Sequence, residues 1–268
     1  VPQANTSEDG LNIETGQISL IGDREVNQDR ASIVFSDTQA LLVVADGMGG
    51  HSDGEVAAQV TVEELVKAFK GRKGDGGSGA DFLRRGVADA HRAVVAAGAS
   101  RPLDSRPRTT CTVCLIEDGK AVWAHVGDSR VYLFREGALL SRTRDHSAVE
   151  QLYQAGKITQ EEMLTHPMRN FVEQCIGGEA ALPEISVGEP VALEPGDVVM
   201  LCSDGFWAPL DEKLVAGILE EGGDLTATLE DLAEQAVEAA HPYADNATAA
   251  ALRWLADEPE SDIPDFPE

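Results

Sequence analysis

The sequence predicts an α+β protein built on antiparallel β-sheet. Three short apolar runs, 109–116, 120–126 and 130–134, follow one another through tight turns such as Glu117-Asp118-Gly119. Strands in such close succession pair as hairpins, whereas a parallel sheet needs a crossover element between them. The helical periodicity is segregated, lying from 52–55 to about 70 and from about 80 before this block and at 211–219 and 225–240 after it. The third observation is LLVVA at 41–45, an unbroken apolar run that reads as a strand buried on both faces.

In chain order, residues 1–14 read as a loose N-terminal segment, followed by a strand at 17–21. A polar turn from Gly22 to Asp29 leads to a second strand at 31–35. Acidic residues in SDGE at 52–55 favour a helix start, and Val56, Ala57, Val60, Leu65, Val66 and Phe69 give that helix an apolar face. A glycine-rich loop at 71–79 separates it from the second helix, and 101–108 is a Pro/Arg/Ser connector. After a strand at 139–140, short helices at 149–155 and 159–164 lie in an insertion over 145–176, a candidate flap over a cleft. Strands are expected at 185–193, 197–202 and 249–255, and 257–268 reads as an acidic, Pro-rich, disordered tail.

Composition narrows the function. At 268 residues and 43% apolar content the chain can bury a substantial core. Its formal net charge of −26 opposes nucleic acid or an anionic membrane as the main partner, because phosphate binding needs a basic face. No apolar run approaches the ~20 residues of a membrane helix. The N-terminal stretch has neither the basic start nor the apolar segment of a secretory signal. Cys111 and Cys114 are spaced to point to opposite faces of a strand, and with Cys175 and Cys202 they read as free thiols in a reducing cytosol.

The chemistry lies where strands stop. LLVVA runs into Asp46-Gly47, and the same pattern recurs at Gly127-Asp128-Ser129 and Ser203-Asp204-Gly205, with Asp245-Asn246 just before the last strand. Singly, each is ordinary turn chemistry. Together, four strand-edge carboxylates suit hard divalent cations, and without metal they would raise one another's pKa. Arg24 is either a surface arginine or a planar fork for phosphate. Asp29 either orients the site or forms a turn. His91, His146 and His166 are expected in packing, capping or turn roles.

The stretches REVNQDR (24–30), VADGMGGHSDGEVA (44–57), RTT (108–110), HVGDSRVYLFREG (125–137), RDHS (144–147), CSDGFW (202–207) and DNAT (245–248) occur in this order. This set resembles the metal-dependent protein phosphatases of the 2C type in their bacterial branch, over about 18–255. The resemblance implies a four-layer α-β-β-α sandwich of two antiparallel sheets flanked by helices, with a flap at about 145–176, inside one phosphatase domain at 15–256. It implies that Asp46 bridges two Mn²⁺ or Mg²⁺ ions, with the Gly47 carbonyl on one and Asp204 and Asp245 on the other. Asp128, with Asp204, would hold a third, weaker ion, and Arg24 the substrate phosphate.

The activity so implied is hydrolysis of phosphoserine or phosphothreonine by direct attack of a metal-bridging water, with Arg24, Asp46 and Asp204 catalytic. Alternatives are a catalytically silent regulatory module on the same fold and a two-metal phosphodiesterase. Expected partners are phosphorylated proteins, including a Ser/Thr kinase and its targets, in the cytoplasm, without nucleic acid or membrane insertion. Three departures stand out: Met48 where many eukaryotic members have a proton-donating His, Gln28 where some have Glu, and Arg108 where Gly is usual. His51 is read as a structural residue of the glycine turn.

Overall fold

The computed structural model describes residues 11–48, 53–72, 77–169 and 171–256. His51, the acidic tail and most of the segment expected to be loose lie outside the described residues. Strands β1 (Ile13–Leu20), β2 (Arg30–Phe35), β3 (Gln39–Ala45) and the two-residue β4 (Gly47–Met48) lead to helices α1 (Asp53–Lys70) and α2 (Gly79–Ala97). A run of strands follows: β5 (Arg108–Thr109), β6 (Cys111–Glu117), β7 (Lys120–Val126), β8 (Arg130–Arg135) and β9 (Ala138–Arg142). Next come α3 (Ala148–Gln154), α4 (Gln160–Thr165), β10 (Ile176–Gly177), β11 (Ser186–Val187), β12 (Val191–Ala192) and β13 (Val198–Cys202). After these stand α5 (Asp204–Trp207), α6 (Glu212–Glu220), α7 (Leu225–Ala240) and β14 (Ala247–Trp254).

All the pairings are antiparallel. One sheet runs β1-β14-β13-β8-β9, and the other runs β2-β3-β6-β7, with β11 and β12 both on β7. A small third sheet runs β4-β5-β10. Side-chain alternation divides the interior into three apolar layers. Leu41, Val43 and Ala45 pack with Leu65, Leu83 and Val87 of the first two helices. Leu42 and Val44 turn the other way and meet Val199, Leu201, Ala250 and Leu252 of the facing sheet. Beyond that sheet, Met200, Cys202 and Ala251 cover Val215, Leu219, Leu225, Leu229 and Leu232 of α6 and α7. The order helix, sheet, sheet, helix is thus the expected four-layer sandwich. Val43 and Val44, adjacent in the chain, each stabilise a different layer by about 1.5–3 kcal/mol.

Three expectations change. The first strand begins at Ile13, inside the stretch read as loose, because it pairs with β14 from Ile13↔Trp254 to Leu20↔Ala247. Its alternation is masked in sequence by Thr15-Gly16-Gln17. The strand expected at 185–193 is two strands interrupted at Gly188-Glu189-Pro190, since Pro lacks the ladder N–H. The strand expected at 109–116 breaks at Thr110, whose N–H donates to the Asp46 carbonyl at 2.8 Å. The cysteines are free, and Cys111 and Cys114 do face different layers. Among the described residues, no helix is long and apolar enough to cross a membrane.

Candidate active site

Acids from both sheets meet at one end of the sandwich. Asp46 follows β3, Asp128 lies in the β7–β8 turn, Asp204 opens α5 after β13, and Asp245 precedes β14. With Arg24 and Gly47 they line one cavity of about 280 Å³, which Gln28, Met48, Val172 and Asn246 complete. Every residue the sequence pointed to for metal or phosphate is therefore at this cavity.

The backbone there is fixed by contacts between segments remote in sequence. The Asp46 N–H donates to the Thr110 hydroxyl at 3.0 Å, and its carbonyl accepts from the Thr109 hydroxyl at 2.8 Å. Gly47 lies directly on the start of α1, where an added Cβ would stand 2.3 Å from the Gly54 carbonyl oxygen. Gly205 lies equally close to its neighbour, 2.3 Å from a would-be Cβ to the Asn246 oxygen. The Asp204 and Asp245 corners therefore touch backbone to backbone, which only Gly permits. Asn246 ties down the β1–β2 loop: its Oδ1 accepts from the Gln28 N–H at 2.8 Å, and its Nδ2 donates to Ile21 and Val26 carbonyls at 2.8 and 3.2 Å. That loop delivers Arg24, whose Nη2 donates to Asp245 Oδ2 at 2.6 Å.

Asp29 belongs to this cluster rather than to a turn. It is 3% exposed, accepts from the Ser203 hydroxyl at 2.7 Å, and its Oδ1 has no hydrogen-bond partner among the described residues. Burial, with the nearby Asp204 and Asp245, raises its pKa to about 7, against the pull of Ser203 and Thr248. Burial raises Asp128 to about 8, with help from Asp204 and Asp145. Asp204 rises to about 6 through burial and Asp245, although Asp46, the Gly205 N–H and Arg24 oppose the shift. Asp46 is pushed well above the carboxylate range by burial, then by Asp29, Asp204, Asp128 and Asp245.

Among the described residues, no three His, Cys, Asp or Glu side chains are drawn closely enough together to hold an ion as they stand. Asp245 is turned to Arg24. The donor chemistry nonetheless fits hard divalent cations: carboxylates and a backbone carbonyl around one cavity, and an orphaned carboxylate oxygen on Asp29. Among the described residues, no histidine lines the cavity. His146 accepts from the Gly127 N–H through Nδ1, His166 accepts from the Met168 N–H, and the buried His91 accepts from the Gly177 N–H.

A pH dependence follows. A carboxyl with a raised folded pKa contributes stability that is full below its unfolded pKa and lost as pH rises through the folded value. The histidines His125 and His146 have lowered values, so their opposite effect falls below pH ~6.5. Chelated protein should therefore lose thermal stability as pH rises from ~6.5 to ~8, with the slope fading once Asp29 and Asp128 have ionised. Added Mn²⁺ should flatten the slope. Scanning fluorimetry with and without metal checks this, and a chelated protein of constant melting temperature would contradict it.

Sequence reasoning named the four acids and Arg24 but left Asp29 undecided and missed the parts played by Thr110, Ser203 and Asn246. Asp29 carried a usable signal, because it abuts Arg30 at the start of β2 as the other acids abut their strands. Trp207 was also missed. Its indole donates to the Asp128 carbonyl at 3.1 Å, and Arg130 stacks on its ring at 3.3 Å. Arg130 in turn grips Asp145 with two hydrogen bonds of 2.8 Å, at the start of the 145–176 segment. That segment returns to the cavity at Val172, which bridges to Ser147.

Comparison with known proteins agrees with this geometry. The family model described as Protein phosphatase 2C matches residues 17–255. A putative protein phosphatase 2C-type from Streptococcus pyogenes is 36% identical over 180 residues, 67% of this chain and 72% of that protein. The crystal structure of the serine/threonine phosphatase Stp1 from Staphylococcus aureus superposes with a TM-score of 0.81 at 27% identity, covering 95% of this chain and all of that one. The catalytic domain of the serine/threonine protein phosphatase PstP, solved in complex with two manganese ions, gives 0.76 at 29% identity over 91% and 99% of the two chains. With strand-end acids gathered around one cavity and relatives of this kind, the chain belongs to the protein phosphatase 2C family as a metal-dependent serine/threonine protein phosphatase.

Proposed function

We propose that Asp46, the Gly47 carbonyl, Asp204 and Asp245 hold two Mn²⁺ or Mg²⁺ ions, that Asp128 with Asp204 holds a third, weaker one, and that Arg24 binds the substrate phosphate. The observation carrying this reading is the single cavity that all six residues line. The PstP domain with two manganese ions supports the choice of metal. Such ions lower the pKa of bound water and so supply the nucleophile for direct attack on phosphorus.

The chain's own residues do the rest. The Arg24 side chain stands 56% exposed at the cavity, and among the described residues its guanidinium hydrogen-bonds to Asp245. Its remaining N–H groups are available to phosphate oxygens and to the charge that grows on them. Burial keeps Cys111, Cys114 and Cys202 protonated, so a thiolate nucleophile plays no part. The segment 145–176 serves as the flap. The enzyme opposes a Ser/Thr kinase on shared phosphoprotein targets in the cytoplasm.

The test is a substrate panel. With Mn²⁺, purified protein should hydrolyse p-nitrophenyl phosphate and phosphoserine or phosphothreonine peptides, and chelation should stop both. Cyclic nucleotide and oligonucleotide should remain intact. Cleavage of these without phosphopeptide turnover would replace this reading with a phosphodiesterase, and inertness towards the whole panel with a silent binding module.

A further inference from the structure

Exposed apolar side chains that the fold does not use stand on the two segments that carry Arg24 and Asp245. Tyr243 is 87% exposed, and its hydroxyl makes no hydrogen bond among the described residues. Ile21 and Val26, which flank Arg24, are 46% and 43% exposed. One exposed apolar residue needs no explanation. The backbone segments that carry these three, however, are tied to one another. The Asp23 N–H donates to the Ala244 carbonyl at 2.9 Å, and Asn246 binds the carbonyls of both Ile21 and Val26. From the segment 145–176, Phe171 is 56% exposed and directly precedes the cavity residue Val172.

We propose that Tyr243, Ile21 and Val26, with Phe171, form an apolar docking surface for the substrate's polypeptide, selecting phosphoproteins with a large apolar side chain close to the phosphorylated residue. This rests on the assignment of Arg24 to phosphate. An extended segment advances ~3.3 Å per residue, so a neighbour two positions away lies ~7 Å along the chain from the phosphoresidue. At −26 the protein repels acidic flanking sequence, which leaves basic and apolar neighbours, and the exposed side chains beside Arg24 suit the apolar ones. Exposed aromatic rings are efficient anchors for such contact.

The experiment compares kcat/KM for p-nitrophenyl phosphate and two sets of phosphopeptides, with Leu or Phe replacing Ser at each of three positions on either side of the phosphoresidue. Wild-type protein should prefer an apolar neighbour at one or more positions by about tenfold, expressed in KM. Tyr243→Ser, and separately Ile21→Ser with Val26→Ser, should reduce that preference to roughly twofold or less while p-nitrophenyl phosphate turnover stays unchanged. Tyr243→Phe should retain it. A wild type indifferent to flanking residues would overturn the proposal, as would a Tyr243→Ser enzyme that keeps the preference or loses turnover of the small substrate. Failure of wild-type protein on p-nitrophenyl phosphate instead strikes the proposed centre.

Discussion

Asp46→Asn is expected to abolish Mn²⁺-dependent hydrolysis and, at the same time, to stabilise the metal-free protein. Asp204→Asn should behave alike. The activity loss should be at least ~10²–10³-fold, the scale for removing a single preorganised electrostatic group from a reaction centre. The stability gain has a separate cause. Both carboxyls are buried among other acids that hold their pKa values up, so ionising them in the folded chain without metal is unfavourable. An amide of the same shape removes that penalty and can still hydrogen-bond to its neighbour. Chelated Asp46→Asn should accordingly melt higher than chelated wild type at pH ~8, with a shallower pH slope, and should gain less from added Mn²⁺. Wild-type turnover in both variants would refute the assigned centre. Lower stability in both would show that these carboxyls hold the fold instead of straining it.

Arg130→Met is expected to cost about 3–5 kcal/mol of stability, the range for removing one partner of a buried ion pair. Arg130 is 7% exposed, and its fork holds Asp145 at 2.8 Å through both Nε and Nη2. Nη1 donates to the Tyr132 hydroxyl at 3.0 Å, and the guanidinium lies on Trp207. Without it, the buried Asp145 carboxylate has no counter-charge and remains among the acids that press on Asp128. Lys cannot reproduce the planar fork, so Arg130→Lys should recover little. The double variant Arg130→Met with Asp145→Leu should recover most of the loss, because no charge is then stranded. Urea denaturation of wild type, Arg130→Met, Asp145→Leu and the double variant measures this cycle, and an Arg130→Met variant costing under ~1 kcal/mol would contradict the expectation.

Much of this was legible in the sequence because a strand that stops at a buried acid leaves a local mark. Leu41–Ala45 before Asp46 and Val198–Cys202 before Ser203-Asp204 need only their own residues to be recognised. The helix at Asp53–Lys70 was equally plain, with acids in its first turn and lysines in its last. The rest depends on partners far along the chain. Asn246 acts on Gln28, 218 positions away, and Asp29 meets Ser203 across 174. No periodicity reports such a contact. The sheet β4-β5-β10 is built from two-residue strands, too short for any alternation to show. The split of the 185–193 strand is of the other kind: Gly188 and Pro190 were visible, but the apolar residues around them outweighed these breakers.

The pairing of β1 with β14 has a consequence for how the enzyme comes into being. Ile13 waits for Trp254, so β1 finds its neighbour only when almost the whole of the sheet-forming stretch has been synthesised. The late strand also carries in Asp245 and Asn246, and with them the loop that presents Arg24. A chain without β14 therefore leaves β1 unpaired and the loop of Arg24 untethered, so the cavity is complete only when the sheet is.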